Sequence, residues 1–324
     1  MMRSVTFGVL SFLVAGAMFA AISGCGEGKQ TANTDTNTDK NPTPKPSQTP
    51  GDTSSTNTDS SAKSDASLMD ASKSETPPNS AGNEPWGDLK LRFTYGGDPP
   101  KRARIVPNKN PEFCGKFELF DESLIVNADN HGVENVVMWL YSKRGTKPPA
   151  PHESYKDSAN DPVVLNNYQC HFEPHVCILQ VNQPFHIKNS DTVGHNTKYD
   201  LDKNDVSFNL QIAAGDVAKR EEGFRKAESV PQLANCNAHG WMSAQLMIVD
   251  TPYFAKSDKY GNVVIKNLPV GEWSFRIHQE KMGYGRYLSI GTVKSDRRGI
   301  VKLQIHSGKN DLGDVSMSPS LFDD

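Results

Sequence analysis

The sequence predicts an all-β protein built as an antiparallel sandwich, on three observations. Leu89, Leu91, Phe93 and Tyr95 alternate with polar residues and stop at the turn cluster Gly96-Gly97-Asp98-Pro99-Pro100. Short apolar runs rich in Val and Ile recur after it, separated by turn signals. Helical periodicity is scarce: residues 216–229, with charged residues around Phe224, are the single candidate. Many short strands joined by turns are the pattern of a sandwich.

Taken in order, the first quarter of the 324 residues is not globular. Arg3 is followed by an apolar run over residues 5–22 and then by Ile22-Ser23-Gly24-Cys25. Small residues before a Cys resemble the lipobox of bacterial lipoproteins. The resemblance implies a signal peptide at 1–24 and a lipid on Cys25. The same run approaches the roughly 20 residues that cross a bilayer, so a retained transmembrane anchor is the alternative. Either reading places the bulk of the chain outside the cytoplasm, in the cell envelope. Residues 25–85 are rich in Ser, Thr, Asn, Asp, Pro and Lys, and nothing apolar repeats. Such a stretch cannot offset its ordering entropy and is read as a disordered tether with a reach of roughly 40 Å. With 35 Lys and Arg against 38 Asp and Glu, a net charge of -3 gives no argument for nucleic acid or for a polybasic membrane patch.

Beyond Trp86, residues 123–127 and 135–141 are further apolar runs. Residues 175–181 and 184–189 read as a hairpin, and 207–213 alternates through Phe208, Leu210 and Ile212. From residue 251 the order is a turn, Val263-Val264-Ile265, Asn267-Leu268-Pro269-Val270-Gly271, and then alternating Trp273, Phe275 and Ile277. Residues 298–305 add a strand, and Asn310-Asp311-Leu312-Gly313 closes the pattern. This segment, 251–318, is similar to the regulatory-like β-sandwich found beside carboxypeptidases. It is short for a domain of its own. Either it packs with the strands of 86–145 as a companion sandwich, or two sandwiches follow in series.

The chemistry concentrates in Cys236-Asn237-Ala238-His239-Gly240-Trp241-Met242, with His195 upstream in a polar turn. A thiolate, two imidazoles and a thioether are the donors of a type 1 copper site. Structural zinc prefers four Cys and His ligands and has no use for Met. The bland reading is a Cys236 in a disulfide and a core Met242.

These residues resemble the cupredoxins, with a ligand-loop spacing most similar to amicyanin and the strongest likeness over 172–250. The resemblance implies a cupredoxin-like Greek-key sandwich over residues 86–250, with its core at 163–250. It implies one copper ion held by His195, Cys236, His239 and Met242, and Asn196 tying the two ligand loops together, where the bland reading is a turn residue. It also implies His239 as the ligand nearest solvent and the electron port, with Trp241 in a docking patch or, alternatively, packed on the companion. Two departures stand out: Gly240-Trp241 replaces the Pro of amicyanin-type loops, and Pro231 interrupts the strand before Cys236. The implied function is single-electron transfer between redox partner proteins of the envelope. The alternative is a copper-carrying or structural lipoprotein that binds a partner without electron transfer. No His-x-His pair is present, which argues against a multicopper oxidase or nitrite reductase and for a protein that is not an enzyme.

Five cysteines allow one lipidated thiol, one metal thiolate and a disulfide. Sequence does not set the connectivity; Cys114–Cys170 is the preferred pairing, and Cys177 reads as a small buried hydrophobe. His171 and His175 suggest a second metal site or, at better odds, a core or turn role.

Overall fold

The computed structural model describes residues 85–323 except 144 and 205. The predicted signal peptide (1–24), the lipidation site Cys25 and the tether up to residue 84 lie outside the described residues. Nearly all regular structure described is β, with only a four-residue helix, Pro111–Cys114, and two short 3-10 turns besides. The fold is all-β, and its strands form two sandwiches.

The first sandwich carries the chemistry. One sheet has the order Val206–Ile212, His195–Leu201, Gln232–Asn235, Ser243–Val249, Val176–Gln180. The facing sheet has the order Val217–Arg220, Phe185–Asn189, Val163–Tyr168, His171–Glu173. Alternation sends Leu165, Phe185, Ile187, Tyr199, Leu201, Leu246 and Ile248 into the core between them. At about 1.5–3 kcal/mol for each large side chain removed from water, this core is the main support of the site at its end.

The companion sandwich is discontinuous in sequence. Trp86–Tyr95 is the centre of a sheet, antiparallel to Asn262–Pro269 on one side and parallel to Gly308–Met317 on the other. Val137–Leu140 lies between Phe254–Lys256 and Gly271–Gln279, and Ile300–Ile305 pairs with Gly271–Gln279. Leu89, Leu91, Phe93, Val263, Ile265, Phe275, Ile277, Val301 and Val315 fill its core. The strands Trp86–Tyr95 and Val137–Leu140 thus pair with strands of the C-terminal segment. The boundary drawn at residue 250 divides the chain, but not the sheets.

Two strands have both faces buried, and they explain how the sandwiches adhere. In Ser243–Val249, Leu246 and Ile248 face the first core while Met247 and Val249 meet Val137 and Trp139. In Val137–Leu140 the intervening Met138 and Leu140 face the companion core.

Two sequence expectations fail for local reasons. The helix expected over 216–229 is instead the strand Val217–Arg220, paired with Phe185–Asn189, followed by turns. Gly223 sits at φ +56°, and a Cβ there would lie 2.2 Å from the Gln183 carbonyl oxygen. The chain must pass that close to bury Phe224, which a helix would not permit. The hairpin expected over 175–189 is an arch between sheets. Val176–Gln180 pairs in parallel with Ser243–Val249, whereas Phe185–Asn189 pairs in parallel with Val163–Tyr168. Gln183 shapes the arch, accepting from Gln180 N and donating to the carbonyls of Ser158 and Asp161. Pro231 does not break the ladder, because Gln232–Asn235 begins just after it.

Candidate metal centre

The strands His195–Leu201, Gln232–Asn235 and Ser243–Val249 lie side by side, and their ends set the site. His195 opens the first strand, Cys236 follows the second, and Met242 precedes the third. Cys236 N donates to Met242 O and Met242 N to His239 O, so the ligand loop closes tightly between paired strands. His195, Cys236, His239 and Met242 are all buried, none more than 1 % exposed. One ring nitrogen of each histidine and the Cys236 sulfur lie within 4.8 Å of one another. The imidazole centroids are 4.5 Å apart.

Asn196 joins the loops. Its backbone N–H and its side-chain oxygen both contact the Cys236 sulfur at 3.4 Å. The same oxygen accepts from Ala238 N at 2.9 Å, and its amide nitrogen donates to Asn209 Oδ1. The loop before His195 is organised by Asn189, whose side chain donates to the carbonyls of Val193 and Ile212 and accepts from Asp191 N.

Two residues absent from the sequence reading complete the site. Asp191, four residues before His195, accepts from its Nε2 at 2.8 Å. It also accepts from the N–H groups of Gln169 and Cys170, which sit at φ +52° and +59°, a region uncommon for residues with a Cβ. The other is Asn110, whose Oδ1 accepts from His239 Nε2 at 2.9 Å. Asp191 lies in the polar turn before His195, and the signal that could have found it is an acidic residue one short turn from a His. Asn110 is 129 residues from His239 and carries no such signal.

The electrostatics suit a metal. Burial opposes ionisation of Asp191, but the bonds from His195, Cys170 and Gln169 outweigh it and hold its carboxyl below the usual range. Burial opposes the Cys236 thiolate too, and the contact with His195 and the N–H groups of Asn196 and His239 reverse the balance, lowering its pKa. Burial, aided by His195, pushes His239 down to about 4, so its imidazole is neutral near pH 7. For His195 burial is outweighed by Asp191 and by the Cys236 sulfur, and its pKa rises. With Nε2 donating to Asp191, His195 Nδ1 is left buried with no hydrogen-bond partner. A soft sulfur whose ionisation is eased, a neutral imidazole and an orphaned ring nitrogen, all clear of water, fit a copper ion.

Three placements bear on the sequence reading. His239 is as buried as Cys236 and Met242, at 1 % exposed, and Asn110 covers its outer nitrogen. Trp241 is half-buried; its Nε1 donates to Cys170 O at 2.9 Å, and it packs beside Cys114, Leu119 and Cys170. Met242 is set by its loop and by packing in the first core. Cys114 and Cys170 are joined in a disulfide, which removes Cys170 from its cluster with Asp191 and His195 as a metal donor. Cys177 is free and buried, its thiol pushed up to about 12 by burial. His175 meets Glu280 and Glu122, and His171, in the strand His171–Glu173, is not among the clustered donors.

No protein-family model matches the chain, and no curated protein matches it. Among solved structures it is similar to amicyanin from Paracoccus versutus at 13% identity and a TM-score of 0.24, covering 28% of this chain and 82% of that one. A purple cupredoxin from Nitrosopumilus maritimus is 19% identical with a TM-score of 0.22, covering 26% of this chain and 98% of that one. A copper-containing nitrite reductase from Thermus scotoductus SA-01 is 16% identical over 34% of this chain, with a TM-score of 0.25, and the match spans 25% of the reductase. The structural neighbours of this chain are thus cupredoxins and a copper-containing reductase, each matched over about a third of the chain or less.

Proposed function

We propose that this protein is a single-electron carrier with one type 1 copper site held by His195, Cys236, His239 and Met242. The observation that carries the reading is the buried cluster of one thiol and two imidazoles, with His195 Nδ1 left without a partner. Bound copper would supply a one-electron couple, for which thiolate, thioether and imidazole are suitable donors. The chain's own residues do the rest. Asp191 and Asn110 fix both rings with Nε2 as donor, which turns each Nδ1 to the inner side, where that of His239 lies 3.6 Å from the Cys236 sulfur. Asn196 holds the sulfur against both loops, so little has to move between oxidation states.

Burial of the whole donor set favours a carrier over a copper courier, whose ligands must be reachable. With His239 covered, the path to the surface runs through Trp241, whose ring lies 5.2 Å from that of His239. Trp241 and Met242 line a cleft of about 460 Å³ with Arg102, Glu122 and His171, and there the redox partner would dock. Contacts of this kind are small, under about 1,200 Å² of buried surface, so partners leave quickly. A lipid on Cys25 and the tether after it would keep the folded part near a membrane of the cell envelope, among partner proteins. No catalytic role is assigned.

Adding Cu(II) to the purified protein beside its Cys236→Ser variant tests this. An intense visible band that the variant lacks is expected. A colourless protein, or a band that survives the substitution, would overturn the reading.

A further inference from the structure

The segment that covers His239 is built as a unit. Its ends are the short strands Arg104–Ile105 and Leu119–Phe120, paired antiparallel, with Arg102 Nε donating to Asp121 O beside them. Between them lies the one-turn helix Pro111–Cys114. Asn110 precedes it at φ +46°, and its backbone oxygen accepts from Phe113 N and Cys114 N. That geometry points the Asn110 side chain at His239 Nε2. Four residues on, Cys114 is bonded to Cys170, and neither is exposed to solvent.

Cys170 leads back to the other histidine. Its N–H donates to Asp191, which holds His195, and its carbonyl accepts from Trp241 of the ligand loop. The outer nitrogens of both imidazoles thus end on partners that the Cys114–Cys170 bond links, Asn110 through the chain to Cys114 and Asp191 through the hydrogen bond from Cys170 N. Phe113, Phe117, Leu119, Val193 and Trp241 pack around that bond. The disulfide is therefore placed to hold a cover on the site rather than to brace either sandwich core.

We propose that residues 104–120 form a lid over the candidate metal position, latched by the Cys114–Cys170 disulfide, so that metals and thiol reagents reach Cys236 far more slowly while the latch is closed. The inference rests on the reading of this cluster as the metal site. It adds that loading and release of the metal are governed by the latch: a metal bound before the disulfide closes is trapped, and a latched metal-free protein fills slowly.

The test needs no metal, so it stands apart from whether copper binds. Metal-free protein is treated with iodoacetamide, and the rates at Cys236 and Cys177 are followed by mass spectrometry. Wild type is compared with the double variant Cys114→Ser/Cys170→Ser and with Asn110→Ala, which keeps the latch and removes the contact to His239. Cys177, buried in the core of the same sandwich, reports general unfolding. The lid predicts that Cys236 reacts at least tenfold faster in the double variant, and severalfold faster in Asn110→Ala, with Cys177 unchanged. If the double variant also speeds Cys177, the Asn110→Ala rates decide. Unchanged Cys236 labelling in both variants, or a rise only in step with Cys177, overturns the lid.

Discussion

His195 and His239 sit 4.5 Å apart, centroid to centroid, yet the regions around them are built in opposite ways. His195 is held from within its own turn by a carboxylate four residues away, and Asn189 shapes that turn. His239 is held from outside by a neutral amide 129 residues distant, on a segment tied down by a disulfide. A carboxylate behind an imidazole fixes its tautomer and raises its basicity toward a metal. A neutral amide fixes the tautomer without adding charge, and here it also shuts out water. One side of the site is tuned and the other is covered.

The difference can be broken at its strong end. Asp191→Asn keeps an oxygen near His195 Nε2 but removes the charge and loosens the turn at Gln169 and Cys170. A loss of about 10–100-fold in copper affinity is expected, as for other partners behind metal-bound histidines. Competition with a chelator measures it, and an affinity within twofold of wild type would show that the carboxylate does nothing for the ligand.

A third histidine sharpens the comparison. His175 also meets a carboxylate, with Nε2 on Glu280 and Glu122 near Nδ1, but no thiol belongs to its group. Burial opposes its charge, and Glu280 and Glu122 reverse this and raise its pKa. The charged pair therefore stabilises the fold fully below the ordinary His value of about 6.5 and loses its contribution as pH climbs through the raised one. Glu280→Gln should flatten that fall by under about 1 kcal/mol, since Glu280 is partly exposed, and should leave copper affinity alone. Denaturant unfolding at pH 5.5 and 8.5 reads the first, and the chelator assay the second. A loss of metal in this variant would mean that a carboxylate beside any histidine of this sandwich matters.

Much of the fold was legible because its signals are local. The period of two in Leu89–Tyr95 and in Trp273–Ile277 is a property of neighbouring residues, and so is the spacing of Cys236, His239 and Met242. The arch at Gln183 was read as a hairpin because a turn looks the same whether its strands pair with each other or with other sheets. The strand Val217–Arg220 was hidden by charged residues, which an edge strand tolerates on its open side. The cover over His239 depends on a contact across 129 residues, for which no local pattern exists.

The most direct test of the account is X-ray absorption at the copper edge, on the loaded protein in both oxidation states. The account predicts one sulfur and two imidazole nitrogens at short distance, with the same donors before and after reduction. A shell of nitrogen and oxygen alone, or a sulfur lost on reduction, would contradict it.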